Sequence, residues 1–220
     1  MTRLILASAS PARLAVLQAA GVQPVVRVSR VDEDAVAAAL PPDSPPDTVV
    51  VELARAKAAA VAAELTAGST GVCWLDSAEA FDGVVVGCDS MLWIAGRLQG
   101  KPHTVAVARE RWQQQAGRSG ELLTGHCVLR MRDARVVAAA FGCSRTTVHF
   151  GRPDPAELES YLASGEPLSV AGAFTLDGLG GWFVDGIDGD PSSVIGIGLP
   201  LLRRLLREVG TDLTQLWPDR

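Results

Sequence analysis

Short apolar runs and longer amphipathic stretches alternate along this chain, and their spacing predicts strands and helices in turn. Residues 3–8 read as a buried strand. Ser10 followed by Pro11 marks a helix start, with serine at the N-cap and proline at the first helical position, and Gly21 closes that helix. "PVVRVSRVDED" reads as a strand running into an acidic turn at Asp32, Glu33 and Asp34. Beyond a Pro/Asp-rich linker, residues 48–65 form a long alanine-rich helix of high intrinsic propensity. Residues 66–82 read as a surface insertion. "GVVVGCDSMLWIAGRLQGKP" gives a buried strand ending at Asp89, a polar break and a short hairpin, and "HTVAVARERWQQQAG" a helix closed by Gly117. Two alternating segments, 121–131 and 135–150, are joined by "RDAR" as an antiparallel pair. Residues 154–164 and "LPLLRRLLREVG", with Pro200 in its first turn, are the last helices. The order predicts a mixed α/β fold, an elongated sheet with helices packed on it. The C-terminal "TDLTQLWPDR", about 211–220, either docks Leu216 and Trp217 on the body or frays.

Composition narrows the classes. With 220 residues, 48% of them hydrophobic and 20% charged, the chain can bury a sizeable core as one domain or two closely packed halves. Neither a membrane-length apolar run nor a signal-peptide pattern is present, so the expectation is a cytoplasmic protein without membrane contact. A net charge of −5 offers no electrostatic footprint for nucleic acid. The four cysteines, Cys73, Cys88, Cys127 and Cys143, lack C-x-x-C spacing and read as reduced thiols. His103, His126 and His149 are scattered, which favours strand residues over a metal site.

Several residues put charge where packing does not ask for it. The strand, small-residue turn and helix start at 4–14 would bind a phosphate through unpaired backbone N–H groups, with Ser8, Ser10 and Arg13 as added donors; alternatively Ser10 is only a cap and Arg13 a solvated first-turn residue. Asp89 is either a carboxylate presented for catalysis or metal ligation, or a turn former. Lys57 falls in line with Val50, Ala54 and Val61, on the border of its helix's apolar stripe, as a functional cation or a snorkelling one. Lys101 follows the hairpin in a loop. Glu33 reads by default as part of a solvated charge run. "GRLQGKP" fails as a Walker loop, no G-x-S-x-G elbow exists, and "GLGGWF" and "GIGLPL" fail as dinucleotide fingerprints.

Taken in order, "LASASPAR", "VDE", "ELARAKA", "GCDSML", "GKP" and "SGEP…AGAF…DGLGGWFVDGIDGDPSSVIGIGLPLL" resemble the Maf (septum-formation) family of nucleoside triphosphate pyrophosphatases along nearly the whole chain. The last segment is the most specific, with G-E-P, A-G-A-[FY] and I-x-G-D-x-x-x-V at fixed spacing. The resemblance implies one domain over 1–220, an elongated mixed α/β fold similar to inosine triphosphate pyrophosphatases with a cleft between two lobes, and a homodimer. It also implies hydrolysis of a nucleoside triphosphate between the α and β phosphates, with Mg²⁺ or Mn²⁺. Asp89 matches the catalytic aspartate, as general base or metal ligand, and Glu33 the acidic residue at the metal. Arg13, Lys57 and Lys101 match cations that hold the triphosphate, with Lys57 and Lys101 also aiding catalysis, and Ser8 and Ser10 would donate to phosphate.

Two departures bear on specificity. Ala12 stands where the family pattern S-P-R-R carries an arginine, which removes a charge-assisted contact worth about 1.5–3 kcal/mol if made to phosphate. "FTLDG" puts Asp177 where many members carry glutamine, replacing a donor and acceptor by an acceptor alone. The resemblance implies as substrates pyrimidine triphosphates (dTTP or UTP), as in one branch of the family, or modified nucleotides such as 7-methylguanosine triphosphate, as in another, in nucleotide-pool housekeeping. The alternative reading is a catalytically weak nucleotide-binding regulator of cell division.

Overall fold

The computed structural model describes residues 2–67 and 81–218; most of the expected 66–82 insertion, including Cys73, lies outside the described residues. The order is β1 (Arg3–Leu6), α1 (Pro11–Ala19), β2 (Val25–Val26), α2 (Glu33–Ala38), α3 (Pro46–Thr66), β3 (Gly83–Ile94), β4 (Arg97–Gln99), α4 (Val105–Gln115), β5 (Ser119–Arg132), β6 (Arg135–Phe150), α5 (Pro155–Ala163), β7 (Val184–Asp188), α6 (Pro191–Ile195) and α7 (Leu199–Glu208), with 3₁₀ turns between residues 166 and 183 and at 213–216. The expected mixed α/β fold is present. Strand order is β2-β1-β3-β5-β6-β7, with β4 paired to β3. β1 lies parallel to both β2 and β3, while β4 on β3 and β7 on β6 are antiparallel.

Both hairpins are set by two-residue turns. Ala95 and Gly96 (φ 51° and 73°) join β3 to β4, and Asp133 and Ala134 (φ 49° and 55°) join β5 to β6. Two consecutive left-handed residues twist the connection to match the strands. Three expectations need correction. The strand expected from "PVVRVSRVDED" forms a ladder only at Val25–Val26, because it is an outer strand and Val26 and Val28 face solvent. The acidic turn is instead the start of α2, where the Asp32 side chain caps the Ala35 amide and Glu33 and Asp34 fill the first turn, favoured there by the helix dipole. Asp89 does not end its strand, because β3 continues through Ser90 to Ile94, where "MLWI" pairs with β4.

The chain divides into two compact units: residues 1–89, 125–143 and 199–220, and residues 90–124 and 144–198. In the first, α3 packs Ala54, Ala58, Val61 and Ala62 against Ile5 and Ala7 of the β1 segment, Val85 of β3 and Cys127, Leu129 and Met131 of β5. Leu216 is buried and Trp217 lies against Gly21, so the C-terminal segment docks through Leu216. The second unit is built on aromatic rings. Trp112 of α4 meets Phe150, Tyr161 and Phe183 edge-on at centroid distances of 5.8, 6.0 and 5.8 Å, and its indole N–H donates to Ala173 O at 2.8 Å. Cys88 and Cys127 are buried free thiols.

Candidate active site

The chain leaves β1 through Ala7, whose amide donates to Val86 O at 2.8 Å, and turns into α1 within three residues. Ser10 caps the helix by accepting from the Arg13 amide, as its position before Pro11 predicts. Ser8 is buried beneath this turn, its hydroxyl accepting from the Ser10 amide at 3.2 Å and from Arg13 Nη1 at 3.0 Å. Arg13 also donates through Nη1 to the carbonyl of Cys88 at 2.9 Å and is only 9% exposed. It is therefore not a solvated first-turn residue. Its guanidinium ties the helix start to the β3 residue immediately before Asp89.

Lys57 and Asp89 meet because α3 lies unusually close to the sheet. A Cβ built on Gly87 would come within 2.2 Å of Ala54 O, and one on Gly125 within 2.2 Å of Val50 O, so both strands present bare backbone to the helix. At this distance the helix face that buries Val50, Ala54 and Val61 also turns Lys57 inward. Its ammonium lies 2.6 Å from Asp89 Oδ1 and 2.8 Å from Glu33 Oε1. Lys57 and Asp89 are buried, whereas Glu33, on the first turn of α2, is half exposed. Snorkelling is excluded for Lys57, because the charged head is held inside rather than led to water.

The two oxygens of Asp89 are treated differently. Oδ1 accepts from Lys57, while Oδ2 is buried with no hydrogen-bond partner. Burial pushes the Asp89 carboxyl above its ordinary value, against the opposing pull of Lys57 and Arg13. Its neighbour Cys88 is pushed up to about 11 by burial, an inert thiol. Among the described residues no group of three or more His, Cys, Asp and Glu is placed to hold a metal. The set that exists is two carboxylates, one with an unpaired buried oxygen. That donor set fits a hard cation such as Mg²⁺, which keeps several waters and takes one or two carboxylates plus substrate phosphates, and does not fit a closed protein cage.

Lys101 and Asp177 belong to the second unit. Lys101 is exposed, in a loop whose backbone is pinned. Gly100 O accepts from the Gly172 amide at 3.2 Å and from Arg111 Nη1, and the His103 amide donates to Leu168 O at 3.0 Å. Asp177 is exposed in the turn between Thr175 and Gly180. That turn is folded around Glu166, whose side chain the sequence reading did not single out. Oε1 accepts from the Thr175 hydroxyl and, at 3.0 Å, from the Gly180 amide; Oε2 accepts from the Leu179 amide at 3.1 Å. Gly178 leaves the room, since a Cβ there would stand 2.7 Å from Oε2. Burial pushes the Glu166 carboxyl up, but its hydrogen bonds outweigh that and hold it below its ordinary value. The only signal for it in the sequence is the "SGEP" segment, because its partners are mostly backbone amides 13 and 14 residues ahead.

The model of the family described as Maf-like protein matches residues 3–209. This chain belongs to the Maf-like protein family. It is 71% identical over 214 residues to a protein of Nocardia farcinica named nucleoside triphosphate pyrophosphatase, covering 97% of this chain and 96% of that protein. Proteins of the same name from Rhodococcus jostii and Mycolicibacterium gilvum are 63% and 54% identical over 217 residues, each covering 99% of this chain and 97% and 99% of their own. Of the positions that the Maf resemblance marks, Ser8, Ser10, Arg13, Glu33, Lys57 and Asp89 form one continuous hydrogen-bonded and ion-paired set in the first unit, joined through the Cys88–Asp89 peptide. No described helix of this Maf-like protein is long and apolar enough to cross a membrane.

Proposed function

We propose that this Maf-like protein hydrolyses nucleoside triphosphates to the monophosphate and pyrophosphate with the help of Mg²⁺ or Mn²⁺. The observation that carries the reading is Asp89, a buried carboxylate with one oxygen on Lys57 and the other on nothing. Most buried polar side-chain atoms have a partner, and a buried carboxylate held half-satisfied beside a buried ammonium is ready for a proton or a cation. The names of highly similar, nearly co-extensive relatives support the same reaction.

Water attacks the α phosphorus, the bond from that phosphorus to the bridging oxygen of the β phosphate breaks, and the water proton passes to Asp89 as pyrophosphate leaves. A carboxyl raised by burial is the better acceptor for that proton. Glu33 and Asp89 would hold the cation, which when bound supplies charge neutralisation for the phosphates. Arg13, with Ser8 and Ser10 at the start of α1, holds phosphate oxygens, and Lys57 neutralises charge developing on the leaving group. Lys101 as a further phosphate contact and Asp177 as a base-specificity residue are carried by the motif resemblance, as are the homodimer and the preference for pyrimidine or modified nucleotides.

The test is incubation of purified protein with a panel of triphosphates, pyrimidine, purine and 7-methylguanosine, with Mg²⁺ or Mn²⁺, scoring monophosphate and pyrophosphate. Release from a subset, lost in Asp89→Asn, is expected. Nucleotide binding without any release would transfer the reading to a nucleotide-binding regulator.

A further inference from the structure

Lys57 occupies the place that a metal would contest. Its single ammonium bridges Asp89 Oδ1 and Glu33 Oε1, the two carboxylates that would hold the divalent cation under the reading above, on which this inference rests. An ammonium has three donors and no acceptor, so it serves two carboxylates well and adds nothing to the coordination of a metal. Whichever oxygen of Asp89 a cation uses, Lys57 is left as a like charge against it, and burial of Lys57 and Asp89 leaves little water to screen the repulsion. The unpaired Oδ2 is open to a cation, but the same carboxylate's Oδ1 still carries the ammonium.

We infer that Lys57 is an internal counter-cation that competes with the divalent metal for Asp89 and Glu33, and that the substrate's phosphates relieve the competition by drawing Lys57 onto their own oxygens. In the nucleotide-free protein the metal therefore binds weakly. Metal and triphosphate then bind with positive coupling, each raising the affinity of the other by the same factor, as linkage requires. Lys57 has two acceptor sets, carboxylates in the free protein and phosphate in the complex, and its change of partner orders the loading of the site.

The experiment counts free Mn²⁺ by electron paramagnetic resonance in titrations of nucleotide-free protein. Lys57→Met removes the ammonium and keeps the stem, and it is expected to bind Mn²⁺ about tenfold more tightly than the wild type, a coupling within the usual range between sites. Lys57→Arg keeps the charge and should show no such gain. Glu33→Gln, a half-exposed position where folding is not at stake, should weaken Mn²⁺ binding. Equal or weaker Mn²⁺ binding by Lys57→Met, with circular dichroism showing a native fold, overturns the inference. If Lys57→Met does not fold, Lys57→Gln, which retains a hydrogen-bond donor, takes its place with the same expectation. The two readings separate cleanly. Pyrophosphate release by the wild type without Mn²⁺ tightening in the variant defeats this inference alone, whereas tightening without release defeats the activity and leaves the competition standing.

Discussion

Two carboxylates in this protein are handled in opposite ways. Glu166 of the second unit uses both oxygens on the Thr175 hydroxyl and the Gly180 and Leu179 amides, and is held below its ordinary pKa. Asp89 of the first unit has one oxygen on Lys57 and one on nothing, and is held above its own. The first arrangement is architecture, since the Thr175 hydroxyl and the Leu179 amide would lose their acceptor if the carboxylate went, and only the Gly180 amide would keep a second one, the Thr175 hydroxyl oxygen at 3.0 Å. The second stores unfavourable solvation that a proton or a cation can relieve, the usual condition of a group that does chemistry. Between these two carboxylates, how fully each is satisfied tracks the role assigned to it.

The largest effect should come from breaking the contrast at Asp89. Asp89→Asn keeps the shape and one acceptor but cannot take a proton or hold a cation well. Pyrophosphate release should fall by about a hundred- to ten-thousandfold, the span assigned to a general base, while circular dichroism is unchanged. Glu166→Ala should do the reverse. Orphaning the Thr175 hydroxyl and the Leu179 amide should cost about 2 kcal/mol, reduced by the water that can reach this turn, and urea denaturation reads it directly. Loss of stability by the first variant and of activity alone by the second would reverse the assignment of the two carboxylates.

The pH dependence of stability should carry opposite signs at the two sites. Glu166 has a folded pKa below the ordinary 4.5, so its contribution is present above that value and is lost as pH falls through the depressed one. Asp89 has a folded pKa above the ordinary 3.8, so its contribution is full below that value and is lost as pH rises through the raised one. Tm measured from neutral pH into the acid range should therefore lose part of its acid-side fall in Glu166→Gln and part of its neutral-side fall in Asp89→Asn. Curves shifted in parallel at every pH would contradict both assignments.

What the sequence could reveal follows from the range of each interaction. The start of α1 was legible because Ser10 and Pro11 act on their own backbone. The start of α2 carried the same kind of signal in Asp32, but six helical residues among exposed acids look like a charge run. The break expected after Asp89 does not exist, because the pairing of Leu92, Trp93 and Ile94 with β4 carries the strand on, and polarity at 89 and 90 says nothing of that ladder. Lys57 was traceable through its helical stripe, yet its contact with Asp89 spans 32 positions and depends on bare backbone at Gly87 and Gly125. Glu166 escaped notice because backbone amides have no letter of their own.

The smallest predicted effect lies beside Glu166. Asp177 is exposed and sits in the turn that Glu166 holds, while the hydrogen bonds to that carboxylate come from Thr175, Leu179 and Gly180. Asp177→Gln should therefore change stability by no more than about 0.5 kcal/mol, as surface substitutions away from such networks do. Its effect, if Asp177 meets the base, falls on the ratio of kcat/KM between triphosphates, because glutamine adds a donor where aspartate only accepts. A changed ratio with an unchanged Tm would divide the turn into a residue that selects and a carboxylate that holds. An unchanged ratio across the panel would remove Asp177 from the site and leave the family's glutamine position without a role in this chain.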